Sequence, residues 1–289
     1  NDELEIGWWN EFVGVNKLID TEKYFVVCAN YLGGCYGTTG PNSIDNKTGL
    51  EYGENFPNIS FKDIETSQKQ LLDNLGVKSL KAVIGPSIGG LMALEFSLLY
   101  PDFVENLISI SSGYKLSTIQ LLHNLEQAYV LNLAKGSPDR RDEYLSLARM
   151  IAHKTYISLE LLASRAKGES KYGEDIINGF LSTSQESYMM HQGEKFIERF
   201  THESYNSIIK GWQSFSIDVK KIERLKDIKV LVVSVDSDVC FYPEEQSEFV
   251  KLLEANQINV THKTISSTKG HDCFLLEPDL FEKELGKFI

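Results

Sequence analysis

The 289 residues suffice for one large domain or for a domain carrying an inserted subdomain. A formal net charge of −12 argues against a nucleic-acid or anionic-membrane surface. No apolar run approaches the roughly 20 residues of a membrane-spanning helix. Cys28, Cys35, Cys240 and Cys273 form no C-x-x-C pair and suit neither zinc nor a disulfide framework, so free thiols in a reducing cytoplasm are expected. No G-x-G-x-x-G follows a strand and no phosphate-loop pattern occurs, so neither a metal nor a bound nucleotide is expected. The chain opens without Met and reads from Asn1 as the middle of a domain, which leads us to expect that N-terminal strands are missing from it.

Taken in order, Tyr24-Phe25-Val26-Val27-Cys28 is β-rich and predicts a central strand. Residues from Asn30 to Phe56 are rich in Gly, Thr, Asn and Pro and predict a long structured loop, placed after a strand as an active-site wall would be. A helix is predicted from Phe61 to Leu75, with Ile64, Leu71, Leu72 and Leu75 on one face and Gly76 as its C-cap. An apolar strand at Ala82–Ile84, a helix from Gly89 to Tyr100 ended by Pro101, and a strand at Leu107–Ser111 continue an α/β pattern with a parallel sheet. From Gly113 to about Ser216 the alternation stops. Helices are predicted at Thr118–Lys135, Arg140–Leu162, Ile176–Phe200 and Ser204–Phe215, which reads as a lid or an oligomer interface. The pattern resumes with a strand at Lys229–Val235, a helix at Glu244–Ala255, a strand at Val260–Ile265 and a closing helix at Phe274–Ile289. Residues 1–112 and 217–289 are therefore expected to be two parts of one α/β core, with 113–216 a helical insert.

Between the Ala82 strand and the Gly89 helix lies Gly85-Pro86-Ser87-Ile88-Gly89, a G-x-S-x-G nucleophile elbow. Such a turn lifts the Ser87 hydroxyl clear of the sheet and aims the Ile88 N–H, at a helix N-terminus, at a developing oxyanion. A nucleophilic serine needs a base, and the base needs an orienting acid. In folds with this elbow the chain order is Ser, then Asp or Glu, then His. Asp238 follows a strand end, with Asp236 as its rival, and His271 lies past the last strand. His123, His153, His191 and His202 fall in the helical insert and read as surface or packing residues, and His262 lies within a strand.

The blocks Asn30-Tyr31-Leu32-Gly33-Gly34-Cys35, Gly40-Pro41-x-Ser43, Ser87-Ile88-Gly89-Gly90, Leu147-Ala148-Arg149, Glu186-Ser187-Tyr188 and Gly270-His271-Asp272-x-Phe274-Leu275 together resemble the homoserine O-acetyltransferase family, over nearly the whole chain. The resemblance implies an α/β-hydrolase fold with a helical lid. It assigns Ser87 as nucleophile, Asp238 as orienting acid and His271 as base. It also matches Arg149 to the residue that meets the amino-acid carboxylate, Asp272 to the one that meets the amino group, and Tyr156 to a pocket tyrosine. The implied substrates are acetyl-CoA and L-homoserine, with no resident cofactor, in a cytoplasmic homodimer serving methionine biosynthesis. An O-succinyltransferase acting on serine or homoserine, a serine hydrolase, and a non-catalytic family member are the alternatives. Pro86 stands where the family commonly has Gly, and a second oxyanion donor is expected on a loop preceding Gly7.

Overall fold

The computed structural model describes residues 7–167 and 183–289. The chain begins with the two-residue strands β1 (Val13–Gly14) and β2 (Ile19–Asp20), which pair with each other. It continues through helix α1 (Phe61–Asn74), strand β3 (Val83–Pro86), helix α2 (Ile88–Leu99) and strand β4 (Asn106–Ile110). Helices α3 (Thr118–Leu133), α4 (Arg141–His153), α5 (Leu159–Arg165), α6 (Ser184–Ile197) and α7 (His202–Gln213) follow. Strand β5 (Lys229–Val235), helix α8 (Pro243–Ala255), strand β6 (Val260–Ile265) and helices α9 (Cys273–Leu276) and α10 (Asp279–Leu285) complete it. Two compact units result: Asn1–Ala29, Glu65–Lys115 and Ser216–Ile289 form one, and Asn30–Ile64 with Leu116–Phe215 form the other.

The first unit is built on a parallel sheet of order β3-β4-β5-β6, with Ile84 opposite Ile108, Ile108 opposite Leu231, and Val233 opposite Lys263. Alternation along each strand sends side chains to opposite faces. Leu107, Val230 and Val232 join one cluster with Leu94 of α2 and Phe249 and Leu253 of α8. Ile108, Ile110, Leu231, Val233 and Val235 join the other, with Phe12, Phe281 and Leu285. Both faces are covered, which is why β4 and β5 read as unbroken apolar runs.

In α1 the buried face is centred on Phe61, Ile64, Glu65 and Leu72, whereas Leu71 and Leu75 are 38% and 50% exposed. The predicted face is thus rotated by part of a turn, and it carries a carboxyl group into the interior. The helix ends as expected: Gly76 takes φ +76°, its N–H donates to the Asp73 carbonyl, and the Val77 N–H donates to the Leu72 carbonyl.

Three sequence expectations are corrected. Tyr24–Cys28 belongs to no strand, and Phe25 is 75% exposed. A strand is defined by its neighbour's hydrogen bonds, and no neighbour pairs with this segment among the described residues. The helix predicted over Arg140–Leu162 divides into α4 and α5, because the Ser158 hydroxyl accepts from the Leu161 N–H and starts a new helix there. The predicted closing helix divides into α9 and α10 at Glu277-Pro278, where proline lacks the N–H the helix would need. Of the helix predicted over Ile176–Phe200, residues 176–182 lie outside the described residues. Its remainder starts at Thr183, whose side chain and that of Glu186 form a reciprocal capping box.

In the second unit α4 packs against α3 and α6, and α7 against α3. The Asn30–Asn58 loop is tied to the start of α7 by Thr201, whose hydroxyl donates to Asn42 Oδ1 at 2.6 Å. Helix α3 is unusual in that it buries Gln120, Asn124 and Gln127 while Leu121, Leu122, Leu125, Tyr129 and Leu133 are exposed. Tyr205 donates to the buried Gln127 Oε1 at 2.5 Å, which accounts for one of those inward-facing amides.

Candidate active site

Ser87 sits between β3 and α2 with φ +56° and ψ −131°, a conformation that side chains rarely adopt. Holding it costs on the order of 1–3 kcal/mol. The flanking sheet outweighs that cost, since Leu107, Ile108, Ile110 and Val230–Val233 are all fully buried and each contributes about 1.5–3 kcal/mol. The Ser87 N–H donates to the Ile110 carbonyl at 2.9 Å, which anchors the turn to β4. Two glycines permit it. A Cβ on Gly85 would lie 1.9 Å from the Gly89 carbonyl oxygen, and one on Gly90 would lie 2.4 Å from the Ser112 Cβ. The close approach therefore needs Gly90 as well as the Gly85 of the motif. Ile88 opens α2, so its N–H has no carbonyl a turn earlier within the helix and points out of the helix start.

The other two chemical groups come from loops after β5 and β6. His271 Nε2 lies 2.8 Å from Ser87 Oγ, and His271 Nδ1 lies 2.7 Å from Asp238 Oδ2. Asp238 is held from behind, because its Oδ1 accepts from the Cys240 and Phe241 N–H groups at 2.8 and 2.9 Å. Asp236, the rival, instead accepts from the Ser267 N–H at 3.0 Å and so joins the loops that follow β5 and β6. The His271 ring stacks on Phe241 (5.5 Å, 16°) and meets the edge of Phe274 (5.5 Å, 88°). Sequence reasoning did not single out Phe241; its place three residues after Asp238 is a signal only once the loop is folded.

His271 and Asp238 are almost completely buried. Burial by itself pushes the imidazole towards its neutral form. The Asp238 charge, the Asp238 hydrogen bond and the nearby Asp272 charge act against it, and His271 ends above its ordinary value. A neutral His271 in this geometry can take the Ser87 proton, and Asp238 can stabilise the imidazolium that forms. His262, by contrast, is engaged with Ser234 Oγ at 2.8 Å, and burial lowers its pKa.

Asp272 follows His271 at the start of α9. Arg149 and Tyr156 lie in the second unit, where the Arg149 guanidinium sits 4.8 Å over the Tyr156 ring and 4.8 Å over the Phe196 ring. No carboxylate pairs with Arg149 among the described residues. A pocket of about 90 Å³ in the same unit is lined by Lys135, His202, Glu203 and Lys210 and includes none of the expected site residues. His202, read from sequence as surface or packing, is buried and bonds the Leu131 carbonyl oxygen through Nε2 at 2.8 Å.

Serine, aspartate and histidine in that chain order, each on a loop following a parallel strand, is the arrangement of the α/β-hydrolase class. A family profile described as alpha/beta hydrolase fold matches residues 5–278. Homoserine O-acetyltransferase of Methanosalsum zhilinae is 39% identical over 98% of this chain and 60% of its own length. The protein of that name from Haemophilus influenzae strain Rd is 36% identical over 98% of this chain and 82% of its own. The crystal structure of homoserine O-acetyltransferase from Bacillus anthracis superposes with a TM-score of 0.87 at 26% identity, covering 98% of this chain and 80% of that one. The chain thus belongs to the homoserine O-acetyltransferase family of α/β-hydrolase-fold proteins, and it spans 60% of the length of the Methanosalsum relative.

Proposed function

We propose that the protein moves an acetyl group from acetyl-CoA to the hydroxyl of L-homoserine by a two-step exchange through Ser87. The observation that carries the proposal is the relay of Ser87, His271 and Asp238 at 2.8 and 2.7 Å in a chain of this family. In the first step His271 takes the Ser87 proton while Oγ attacks the thioester carbonyl. The Ile88 N–H donates to the oxyanion. The C–S bond breaks, and the CoA thiolate leaves with the proton from His271. In the second step His271 takes the homoserine hydroxyl proton, the alkoxide oxygen attacks the acetyl-serine, and Ser87 departs with the proton restored. Arg149 takes the acceptor's carboxylate, Asp272 its amino group, and Tyr156 lines the acceptor pocket. That a zwitterion needs one fixed cation and one fixed anion supports those assignments. Acetyl-CoA is a substrate here, and no resident cofactor is required.

A cytoplasmic homodimer is part of the same proposal. All four cysteines are free, and no helix among the described residues is long and apolar enough to cross a membrane. Leu121, Leu125, Tyr129 and Leu133 recur every fourth residue on the exposed side of α3, a stripe suited to a second copy.

The test is intact-mass spectrometry of the full-length protein mixed with acetyl-CoA or succinyl-CoA. An acetyl adduct on Ser87 that L-homoserine discharges and water discharges slowly is the expected result. A succinyl adduct would change the donor, discharge by water alone would mean a hydrolase, and no adduct would overturn the enzymatic reading.

A further inference from the structure

His153, read from sequence as a packing residue, occupies a place that the proposed chemistry leaves unassigned. It lies on α4 one helical turn beyond Arg149 and is 4% exposed. Its Nε2 is 3.3 Å from the Tyr188 hydroxyl of α6. Its ring stands edge-on to Tyr156 (6.1 Å, 80°) and tilted against Tyr188 (5.8 Å, 45°). Tyr156 is in turn one of the two rings that hold the Arg149 guanidinium. His153 thus contacts the tyrosine that holds Arg149 and a second tyrosine from the neighbouring helix.

The charge at this position matters. Among the described residues the groups facing His153 are Arg149, Arg165 and the two tyrosines; burial first, and then both arginine charges, push the imidazole down to about 4. It is therefore neutral at physiological pH. A carboxylate in its place would satisfy Arg149 from within the protein, and a cation would repel it. A neutral ring with one hydrogen-bonding nitrogen holds the tyrosines and leaves the guanidinium charge for an incoming anion.

We propose that His153 is a positioning residue for acceptor binding, fixing Tyr156 and Tyr188 so that Arg149, which no carboxylate among the described residues pairs with, is presented to the acceptor's carboxylate. The proposal rests on the reading of Arg149 as the carboxylate-binding residue. It separates from that reading because formation of the acetyl-enzyme does not use the acceptor.

The experiment measures two things on the full-length protein: the rate at which acetyl-CoA acylates Ser87, and the KM for L-homoserine in its discharge. His153→Phe keeps the ring and removes the nitrogen. Tyr188→Phe removes the same hydrogen bond from the other side and alters one half-buried hydroxyl only, so it keeps the test open should His153→Phe fail to fold. Each is expected to raise the homoserine KM about 3–10-fold, the worth of one hydrogen bond, with acylation unchanged. The double variant should show no further rise, because both changes remove one contact. His153→Glu should raise the KM at least about 100-fold, again sparing acylation. An unchanged homoserine KM in His153→Phe and Tyr188→Phe, or equal losses in acylation and discharge, would overturn the positioning role. Failure of homoserine to discharge even the unaltered acetyl-enzyme would overturn the acceptor reading and this role with it.

Discussion

Replacing Glu65 by glutamine should stabilise the protein and flatten the dependence of its stability on pH. Glu65 lies on the buried face of α1, is fully excluded from solvent, and has no hydrogen-bond partner among the described residues for either carboxyl oxygen. Burial, and secondarily the Glu95 charge on α2, push its carboxyl up to about 10 from an ordinary 4.5. The folded state therefore holds a proton that the unfolded state releases between those two values. Stability is highest below the lower value and falls as pH rises, at about 1.4 kcal/mol per pH unit, until the folded group ionises near the upper one. By pH 7 the accumulated cost is about 3 kcal/mol, a large share of the 5–15 kcal/mol that holds a typical domain. Glutamine keeps the shape and the unpartnered polar atoms but carries no proton to lose, so it escapes this cost. Urea unfolding of the parent and Glu65→Gln at pH 5, 7 and 9 measures it. The two stabilities should differ least at pH 5 and diverge steadily above it. A difference that stays constant across the three pH values would refute the reasoning.

Further predictions concern the site. Ser87→Ala should abolish the acetyl adduct, and Asp238→Asn should slow acylation by about 10⁴-fold with little loss of fold, as read by rapid-mixing mass spectrometry. His271 must be neutral to act as a base and its pKa is raised, so acylation should increase with pH and reach half its maximum above pH 6.5. Asp272→Asn removes one of the charges that raise it and should move that half-point to lower pH; no movement would argue against the Asp272 contribution. Gly90→Ala would set a Cβ 2.4 Å from the Ser112 Cβ, so a loss of about 1–3 kcal/mol is expected in thermal unfolding. Leu125→Glu, in the exposed stripe of α3, should leave each copy folded and shift sedimentation towards the monomer.

Local chemistry was enough to read much of this protein from its residues. Strands β4 and β5 are apolar runs because both faces of the sheet are covered, and such runs are visible without knowing what covers them. The elbow around Ser87 is legible for the same reason, since the demand for Gly85 arises within one turn of chain. Asp238 and His271 were readable as candidates because they follow strand ends. Position after a strand left Asp236 as a rival and the family resemblance pointed to Asp238; the tertiary structure adds the geometry, bringing one carboxylate to His271 and the other to the Ser267 N–H. It likewise decided that Tyr24–Cys28 is no strand, that Glu65 faces inward, that Phe241 stacks on His271, and that His153 lies against Tyr188. Each of these depends on a partner distant in the chain, or, for Tyr24–Cys28, on the lack of a paired strand among the described residues. Periodicity and turn chemistry encode what a segment does alone, and pairing, burial and pKa are set by what the fold places beside it.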